Sequence, residues 1–356
     1  MDNFKQVYQL GFNNFEFALL SASCGHVSFI MSKTGYEEAA SLIMSDINRK
    51  SAVTMTIPLY YKAGEIIEAM SDGKTKLSKR AVFTGYSGGG YAAAAAADGM
   101  KAYDMIPIQL LAGGAPFKTK SWLLMGFYRS LFAGTLSPIA PFTTALSGLA
   151  FSGTREDVAN YPNQSFLKPD KVGRLTDLFK DYSAPSLYES GATNYFSYLQ
   201  ANYMDLLADP SFIDPDLEAF FKDATLNEDE DPCLTSGGVP ANVAKNCDSL
   251  VANDLEEVLI EADYPIDLCH SKQDEFVAYE NTVESLTTYQ LEGLGHGPAY
   301  SFCSVALYNG YTIKKPKLRE TKAPTKLKSK KPTTGPSTSK PTKSPKGSKK
   351  KKAKRG

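Results

Sequence analysis

The chain contains 356 residues, of which 42% are hydrophobic and 11% aromatic, a composition typical of a folded globular protein. Five cysteines in this length exclude a disulfide-dense scaffold, and three histidines without metal-ligand spacing argue against a zinc centre. The net charge of zero hides an asymmetry. Residues 314–356 carry 18 basic residues and one acid, whereas residues 1–313 carry 21 basic and 38 acidic residues. We therefore expect an acidic globular domain over residues 1–313 and a strongly basic tail over residues 314–356.

The N-terminal residues MDNFKQVYQL lack the basic segment and apolar core of a secretory signal peptide. The longest uncharged segment, residues 130–154, is about half apolar and contains two prolines, so a buried or lid-like helical hairpin is favoured over a transmembrane helix.

Cys233 and Cys247 flank a segment containing glycine and proline and could close one bridge. The alternative is that all five cysteines are reduced thiols.

Short apolar runs alternate with helical patterns along the chain. The predicted strands cover residues 27–31, 80–84, 106–111, 266–269 and 288–291. The predicted helices cover residues 36–47, residues 58–70 with Pro58 in the first turn, and an alanine-rich segment from Tyr91. Strand–helix alternation of this kind predicts an α/β fold with a mostly parallel sheet and helices on both faces. Between residues 118 and 253 strand signals vanish and apolar residues recur at helical spacing, which predicts an inserted helical region.

The segment Gly85-Tyr86-Ser87-Gly88-Gly89 fits the pattern G-x-S-x-G of a nucleophile elbow. A strand-type run precedes the serine and six consecutive alanines follow it, which is the strand–turn–helix setting that an elbow needs. Gly85 and Gly89 are expected to be glycines because the strained turn leaves no room for side chains. The N–H of Gly88 would then face an oxyanion that develops beside Ser87. A phosphate-binding loop is disfavoured because neither glycine-rich phosphate motif is present.

A nucleophilic serine needs a base, and the base needs an orienting carboxylate. His296 lies between two glycines after the last predicted strand, so we predict that it is the base. His26 is predicted to be a turn residue, and His270, at the end of a strand, to lie near the site without being the base.

Asp274 is the predicted acid because it follows the strand of residues 266–269, at the sheet edge where parallel sheets place functional side chains. Asp267, inside that strand, and the adjacent Glu275 are the alternatives. The order Ser87, Asp274, His296 is the chain order of α/β-hydrolases.

These segments resemble the α/β-hydrolase superfamily, in particular its secretory-lipase-like branch, and are similar to prolyl-oligopeptidase-type serine hydrolases. The resemblance spans residues 24–310 and is carried by residues 85–117, 264–282 and 293–297. It implies that Ser87 forms an acyl-enzyme, that Asp274 orients His296, and that His296 acts as base and then as acid. It also implies hydrolysis of carboxylic esters without a cofactor, with the insert of residues 118–253 acting as a lid or acyl-pocket wall.

The sequence departs from this family at its N-terminus. Residues 12–23 resemble the first core helix, and the residues before them contain no His-Gly pair that would supply the first oxyanion donor. We therefore expect the N-terminal strands of the fold to be missing from this chain. The alternative is a degenerate, poorly active relative, since loss of one oxyanion donor typically lowers turnover by about two to three powers of ten.

Three functions follow from these features. The first is an esterase or lipase acting on a small-molecule or lipid ester, and the second is a serine peptidase of the same fold. The third is binding of an anionic surface, such as polysaccharide, silica or membrane, by the basic tail. No specific nucleic acid is expected, although residues 349–355 (KKKKAKR) also resemble a nuclear-localisation cluster. The alternative for the whole tail is a solvated linker that binds no specific partner. The Lys/Pro/Ser/Thr-rich tail, predicted to be disordered, resembles those of secreted wall-associated proteins and favours an extracellular location.

Overall fold

The computed structural model describes residues 47–119, 241–274 and 277–313, together with the short stretches 26–30, 168–171, 174, 214–216 and 219. Most of the predicted insert, the segment 130–154, the basic tail, Cys233 and Glu275 lie outside the described residues, as does all but the last residue of the predicted helix 36–47. Within the described ranges no helix is long and apolar enough to cross a membrane.

Four parallel strands form one sheet in the described part of the chain, and they are β1 (Arg80–Tyr86), β2 (Ile106–Gly113), β3 (Ile266–Ser271) and β4 (Thr288–Leu291). They lie in the order β1-β2-β3-β4. Gly113 pairs with Tyr86 of β1 and with Cys269 of β3, so the carboxyl ends of these strands are aligned. The parallel sheet predicted from the sequence is therefore confirmed. The loops that follow its strands lie along one edge, where open α/β sheets bind ligands.

Helices cover both faces of the sheet, as predicted, and the described helices are α1 (Arg49–Met70), α2 (Gly88–Gly99), α3 (Ala241–Asn253), α4 (Glu256–Ile260) and α5 (His296–Ile313). Successive strand residues point to opposite faces. Leu110 and Leu268 therefore pack with the alanines of α2 and with α4. Leu111 and Cys269 pack on the other face, against α5.

Helix α2 lies close to its neighbours because its side chains are small. A Cβ atom added at Gly99 would lie 2.2 Å from the Val53 side chain of α1, and one at Gly90 would lie 2.9 Å from Ala115 Cβ. The alanines between these glycines are almost wholly buried. The alanine-rich sequence therefore fixes the position of α2 between the sheet and α1.

Helix α1 begins at Arg49 and contains Pro58 in its interior, so the prediction that Pro58 lies in the first turn is wrong. Its N-terminus is capped by Asn48, whose side-chain oxygen accepts the N–H of Ser51 at 2.8 Å. A proline inside a helix removes one hydrogen bond. The cap and the packing of α1 on α2 outweigh that loss.

The strand predicted at residues 27–31 is wrong over the residues that the structure describes. Residues 26–30 have no regular secondary structure, and Val27 and Ile30 are 53% and 46% exposed. An apolar run becomes a strand only where a partner strand satisfies its backbone. No described strand pairs with this segment.

A disulfide connects Cys269 of β3 to Cys303 of α5, with 5.4 Å between their Cα atoms. The alternative in which all five cysteines are reduced is therefore wrong for this pair. The alternative bridge between Cys233 and Cys247 involves side chains outside the described residues. The observed bond fixes α5 to the strand that precedes the predicted acid, and both of its cysteines are buried.

Candidate active site

Ser87 occupies the sharp turn between β1 and α2. Its backbone has φ 57° and ψ −133°, a conformation that costs a non-glycine residue on the order of 1–3 kcal/mol. The turn is fixed from both sides: the Ser87 N–H donates to the Gly113 carbonyl at 2.8 Å, and the Ser87 carbonyl accepts the N–H of Gly90 at 2.9 Å. The segment therefore has the strained strand–turn–helix geometry that the G-x-S-x-G pattern predicts.

Two crowded glycines, Gly85 and Gly90, make this turn possible, whereas the sequence predicts Gly85 and Gly89. A Cβ atom at Gly85 would lie 2.2 Å from the Gly89 carbonyl oxygen, so Gly85 is required, as predicted. A Cβ atom at Gly89 would meet no atom of the described residues within 4 Å, so no described residue explains the predicted need for glycine there. The second crowded position is Gly90, where a Cβ atom would lie 3.2 Å from the carbonyl oxygens of Gly85 and Gly113.

Helix α2 begins at Gly88, directly after the serine. The first N–H groups of a helix have no partner within the helix and form the positive end of its dipole. A negative charge that develops beside Ser87 Oγ is therefore stabilised at this position. The role of the Gly88 N–H as an oxyanion donor stays a prediction.

Asp274 and His296 are joined by a buried hydrogen bond. The His296 Nδ1 atom lies 2.7 Å from Asp274 Oδ2, and Asp274 Oδ1 accepts the N–H of Val277 at 2.8 Å. An ionised carboxylate only accepts hydrogen bonds, so the proton of the neutral His296 ring is on Nδ1. In this tautomer Nε2 is the atom that carries the lone pair, and a general base needs such a lone pair.

The carboxyl group of Asp274 is ionised at neutral pH. Burial alone would raise its pKa. The charge interaction with His296 and the hydrogen bonds from His270 and His296 outweigh burial and lower the pKa of Asp274 below its ordinary value. A buried anion in this place stabilises the positive charge that His296 gains on accepting a proton.

Tyr86 connects the serine turn to the histidine, a contact that the sequence analysis missed. Its hydroxyl donates to the His296 carbonyl at 2.8 Å, and the centroids of the two rings lie 5.0 Å apart. Cβ atoms at Gly113 and Gly114 would lie within 2.8 Å of the Tyr86 ring, so these glycines provide space for it. Ser87 is the next residue, so the Tyr86 side chain connects the backbone of the serine turn to the backbone of His296. The described residues show no hydrogen bond between Ser87 Oγ and His296, so the structure brings together Asp274 and His296 but not yet the serine, and this third contact of a triad stays a prediction.

The other candidates of the sequence analysis occupy different environments. His270 is buried at the end of β3 and contacts Asp274 Oδ2 at 3.3 Å, so it lies near the pair, as predicted. Asp267 is buried inside β3, where its Oδ2 accepts a hydrogen bond from Gln109 at 2.6 Å. His26 is exposed. Of the two candidate acids that the structure describes, Asp274 is thus the one hydrogen-bonded to the predicted base.

No cluster of three or more His, Cys, Asp or Glu side chains that could hold a metal ion occurs among the residues that the structure describes. The described residues at this edge offer a hydroxyl, an imidazole, a carboxylate and backbone N–H groups.

No protein-family model and no curated protein matches the sequence. Several solved structures do match the chain. A candidate hydrolase from Legionella pneumophila matches with a TM-score of 0.58 and 15% identity, over 86% of this chain and 76% of that chain. The rice cell wall degrading esterase LipA from Xanthomonas oryzae matches with a TM-score of 0.46 and 18% identity, over 77% of this chain and 66% of that chain. Candida antarctica lipase A matches with a TM-score of 0.39 and 14% identity, over 75% of this chain and 56% of that chain.

At such identities a structural match concerns the fold alone. The Legionella structure supports the architecture built above from the residues, a parallel sheet with helices on both faces. The chain has the α/β-hydrolase fold.

Proposed function

We propose that this protein is a serine hydrolase that cleaves carboxylic esters through an acyl-enzyme on Ser87. The observation that carries the proposal is the buried hydrogen bond between Asp274 and His296, at the sheet edge that also bears the strained Ser87. Tyr86 contacts the histidine directly and precedes the serine, so one side chain links the two halves of the site.

The first half of the proposed reaction transfers the acyl group to the protein. Ser87 Oγ attacks the ester carbonyl carbon while its proton passes to Nε2 of His296. The carbonyl oxygen becomes an oxyanion, which accepts the N–H of Gly88 at the start of α2. The intermediate then collapses, the alcohol leaves with the proton from His296, and the acyl group remains bonded to Ser87.

The second half releases the acid. A water molecule gives a proton to His296 Nε2 and attacks the acyl carbon. Collapse of the second tetrahedral intermediate returns the proton to Ser87 Oγ and frees the carboxylic acid. Through both halves Asp274 remains ionised and keeps the Nδ1 proton of His296 in place.

Esters are preferred over peptides as the proposed substrates because of the insert. Its segment 122–132 (WLLMGFYRSLF), which lies outside the described residues, is strongly apolar and suits an apolar acyl group. A serine peptidase uses the same nucleophile, base and oxyanion donors and is the alternative.

Turnover of p-nitrophenyl acyl esters and of aminoacyl anilides by the same preparation tests this proposal. We expect ester turnover by the native chain and by the His26→Ala variant, and none by Ser87→Ala. Higher kcat/KM on the anilides would favour the peptidase. Equal ester turnover by the native chain and by Ser87→Ala would reject the hydrolase.

The basic tail is proposed to bind an anionic surface. Its 18 basic residues and single acid give it a charge opposite to that of the acidic domain and of such surfaces. Adsorption to silica, to acidic polysaccharide or to anionic vesicles should weaken with salt and disappear when residues 314–356 are deleted. Salt-independent adsorption, or adsorption by the shortened chain, would contradict this role.

A further inference from the structure

One oxygen of Asp274 contacts two imidazole rings. Asp274 Oδ2 lies 2.7 Å from His296 Nδ1 and 3.3 Å from His270 Nε2. The His270 side chain is 3% exposed and the Asp274 side chain is wholly buried. The proposed reaction uses His296 alone, so the second imidazole needs a separate explanation.

The partners of His270 fix its protonation. Its Nε2 atom also lies 2.9 Å from the carbonyl oxygen of Val277, which can only accept, so Nε2 carries a proton. Its Nδ1 atom lies 2.8 Å from the hydroxyl of Thr282, which can donate to the neutral ring. The Nε2–H of His270 is therefore donated to the Val277 carbonyl, and Asp274 Oδ2 lies 3.3 Å from the same nitrogen.

His270, Val277 and Asp274 form a closed ring of polar contacts. The Val277 carbonyl accepts from His270, the Val277 N–H donates to Asp274 Oδ1, and Asp274 Oδ2 faces His270. The last side-chain torsion of an aspartate is soft, with no sharp staggered minimum. Contacts of this ring on both oxygens therefore set the rotation of the carboxylate.

We propose that His270 is a positioning residue, which fixes the rotation of the Asp274 carboxylate so that Oδ2 faces Nδ1 of His296. The inference rests on the proposed hydrolase function. His270 forms no hydrogen bond with Ser87 or His296, and it acts through Asp274. Its role is thus to keep the imidazole of His296 in the tautomer and orientation that proton transfer from Ser87 requires.

Three substitutions of His270 separate this role from simple packing. His270→Gln keeps an N–H donor at about the reach of Nε2, whereas the shorter His270→Asn places its amide near Nδ1, beside Thr282. His270→Phe keeps a ring and removes both nitrogens. We expect kcat on a p-nitrophenyl ester to fall about tenfold or more in the Asn and Phe variants and to stay within about threefold in the Gln variant, with KM unchanged in all three.

A second readout does not depend on turnover. The chain has only three histidines, so selective ¹⁵N labelling of histidine resolves each ring by NMR. The hydrogen-bonded Nδ1 proton of His296 should persist in the native chain and in His270→Gln, and it should broaden or disappear in His270→Asn. If His270→Phe does not fold, the difference in kcat and in the NMR signal between His270→Gln and His270→Asn still tests the proposal.

Two results would overturn the proposal: equal loss of kcat in the Gln and Asn variants, which indicates packing alone, or native kcat in the Phe or Asn variant. Failure of the hydrolase proposal gives a different pattern, in which Ser87→Ala turns over the ester as fast as the native chain. In that case the NMR comparison still shows whether His270 positions the Asp274 carboxylate.

Discussion

The serine turn and the Asp274–His296 pair are built in different ways. The turn is largely local: its crowded glycines and its strained serine lie within residues 85–90, and β2 adds the Gly113 carbonyl that accepts the Ser87 N–H. The pair joins residues 22 positions apart, and a disulfide, a tyrosine and a second histidine support it from other elements. A short motif therefore predicts the serine turn, whereas the partners of the Asp274–His296 pair depend on tertiary contacts.

The two regions also differ in energy. The turn stores strain, because Ser87 occupies a backbone conformation that suits glycine. The pair is a satisfied network, in which both oxygens of the buried Asp274 carboxylate accept hydrogen bonds. Substitutions in the turn are therefore expected to change stability through the backbone, and substitutions in the pair through charge and hydrogen bonding.

The largest effect is expected at the serine. Ser87→Ala should lower kcat on p-nitrophenyl esters by roughly six powers of ten, because no other group forms the acyl-enzyme.

The strain at Ser87 predicts a further effect on stability: Ser87→Gly should be about 1 kcal/mol more stable than Ser87→Ala, since glycine accepts this backbone conformation. Ester kinetics and urea unfolding measure the two effects. Equal stability of the two variants would mean that the turn is not strained.

The second-largest loss of kcat is expected at Asp274, the proposed acid. Asp274→Asn should lower kcat by roughly four powers of ten, because the amide no longer fixes the protonated Nδ1 tautomer of His296. Asp267→Asn is the matched control, since Asp267 is equally buried but bonds to Gln109. It should leave kcat within a few-fold of the native value. A larger loss of kcat in Asp267→Asn than in Asp274→Asn would identify Asp267, inside β3, as the acid.

Removal of the disulfide tests the tertiary support of the pair. Replacing Cys269 and Cys303 together by alanine should lower the free energy of unfolding by about 2–4 kcal/mol, because the cross-link no longer restricts the unfolded chain. Ser304→Ala is the control, since it removes only a buried hydroxyl bonded to the Tyr300 carbonyl. Denaturant unfolding of both variants measures the difference. Equal losses would show that the bond adds nothing beyond packing.

The glycines test the local construction of the turn. Gly85→Ala should lower the free energy of unfolding by about 1–3 kcal/mol, because its Cβ atom would lie against the Gly89 carbonyl. Gly89→Ala is the matched control in the same turn, and its better helix propensity should leave the protein as stable as the native chain. Thermal unfolding of the pair measures this contrast. If Gly89→Ala is the more damaging change, the account of the turn is wrong.

The smallest effect is on the pH dependence of stability. The pKa of Asp274 in the folded state lies below its unfolded value of about 3.9, so ionised Asp274 stabilises the fold above that pH. This stabilisation is lost as the pH falls from about 4 toward the folded pKa. Asp274→Asn should therefore flatten the fall in unfolding free energy below about pH 4, whereas Ser87→Ala should not change it. Urea unfolding across that range measures the slopes.

The sequence predicted those features that depend on local patterning. The strands β1 to β4, the helix after the serine and the strained turn all follow from apolar runs, glycines and an alanine run. Chain order and strand ends also pointed to Asp274 and His296, which the structure brings together.

Features that depend on distant residues were missed. Cys269 and Cys303 are 34 residues apart and carry no local signal of pairing, because the bond exists only when α5 packs on β3. The strand predicted near Val27 is wrong because no described strand pairs with it. His270 lies four residues before Asp274 and at the end of a strand, and that spacing was the one available sign of their contact.

Mass spectrometry of the protein after reaction with a fluorophosphonate tests whether Ser87 is the nucleophile. We predict one covalent adduct, located on the peptide that contains Ser87, with formation abolished by His296→Ala and unaffected by His26→Ala. An adduct on another residue, or none on the folded native chain, would show that Ser87 is not the nucleophile.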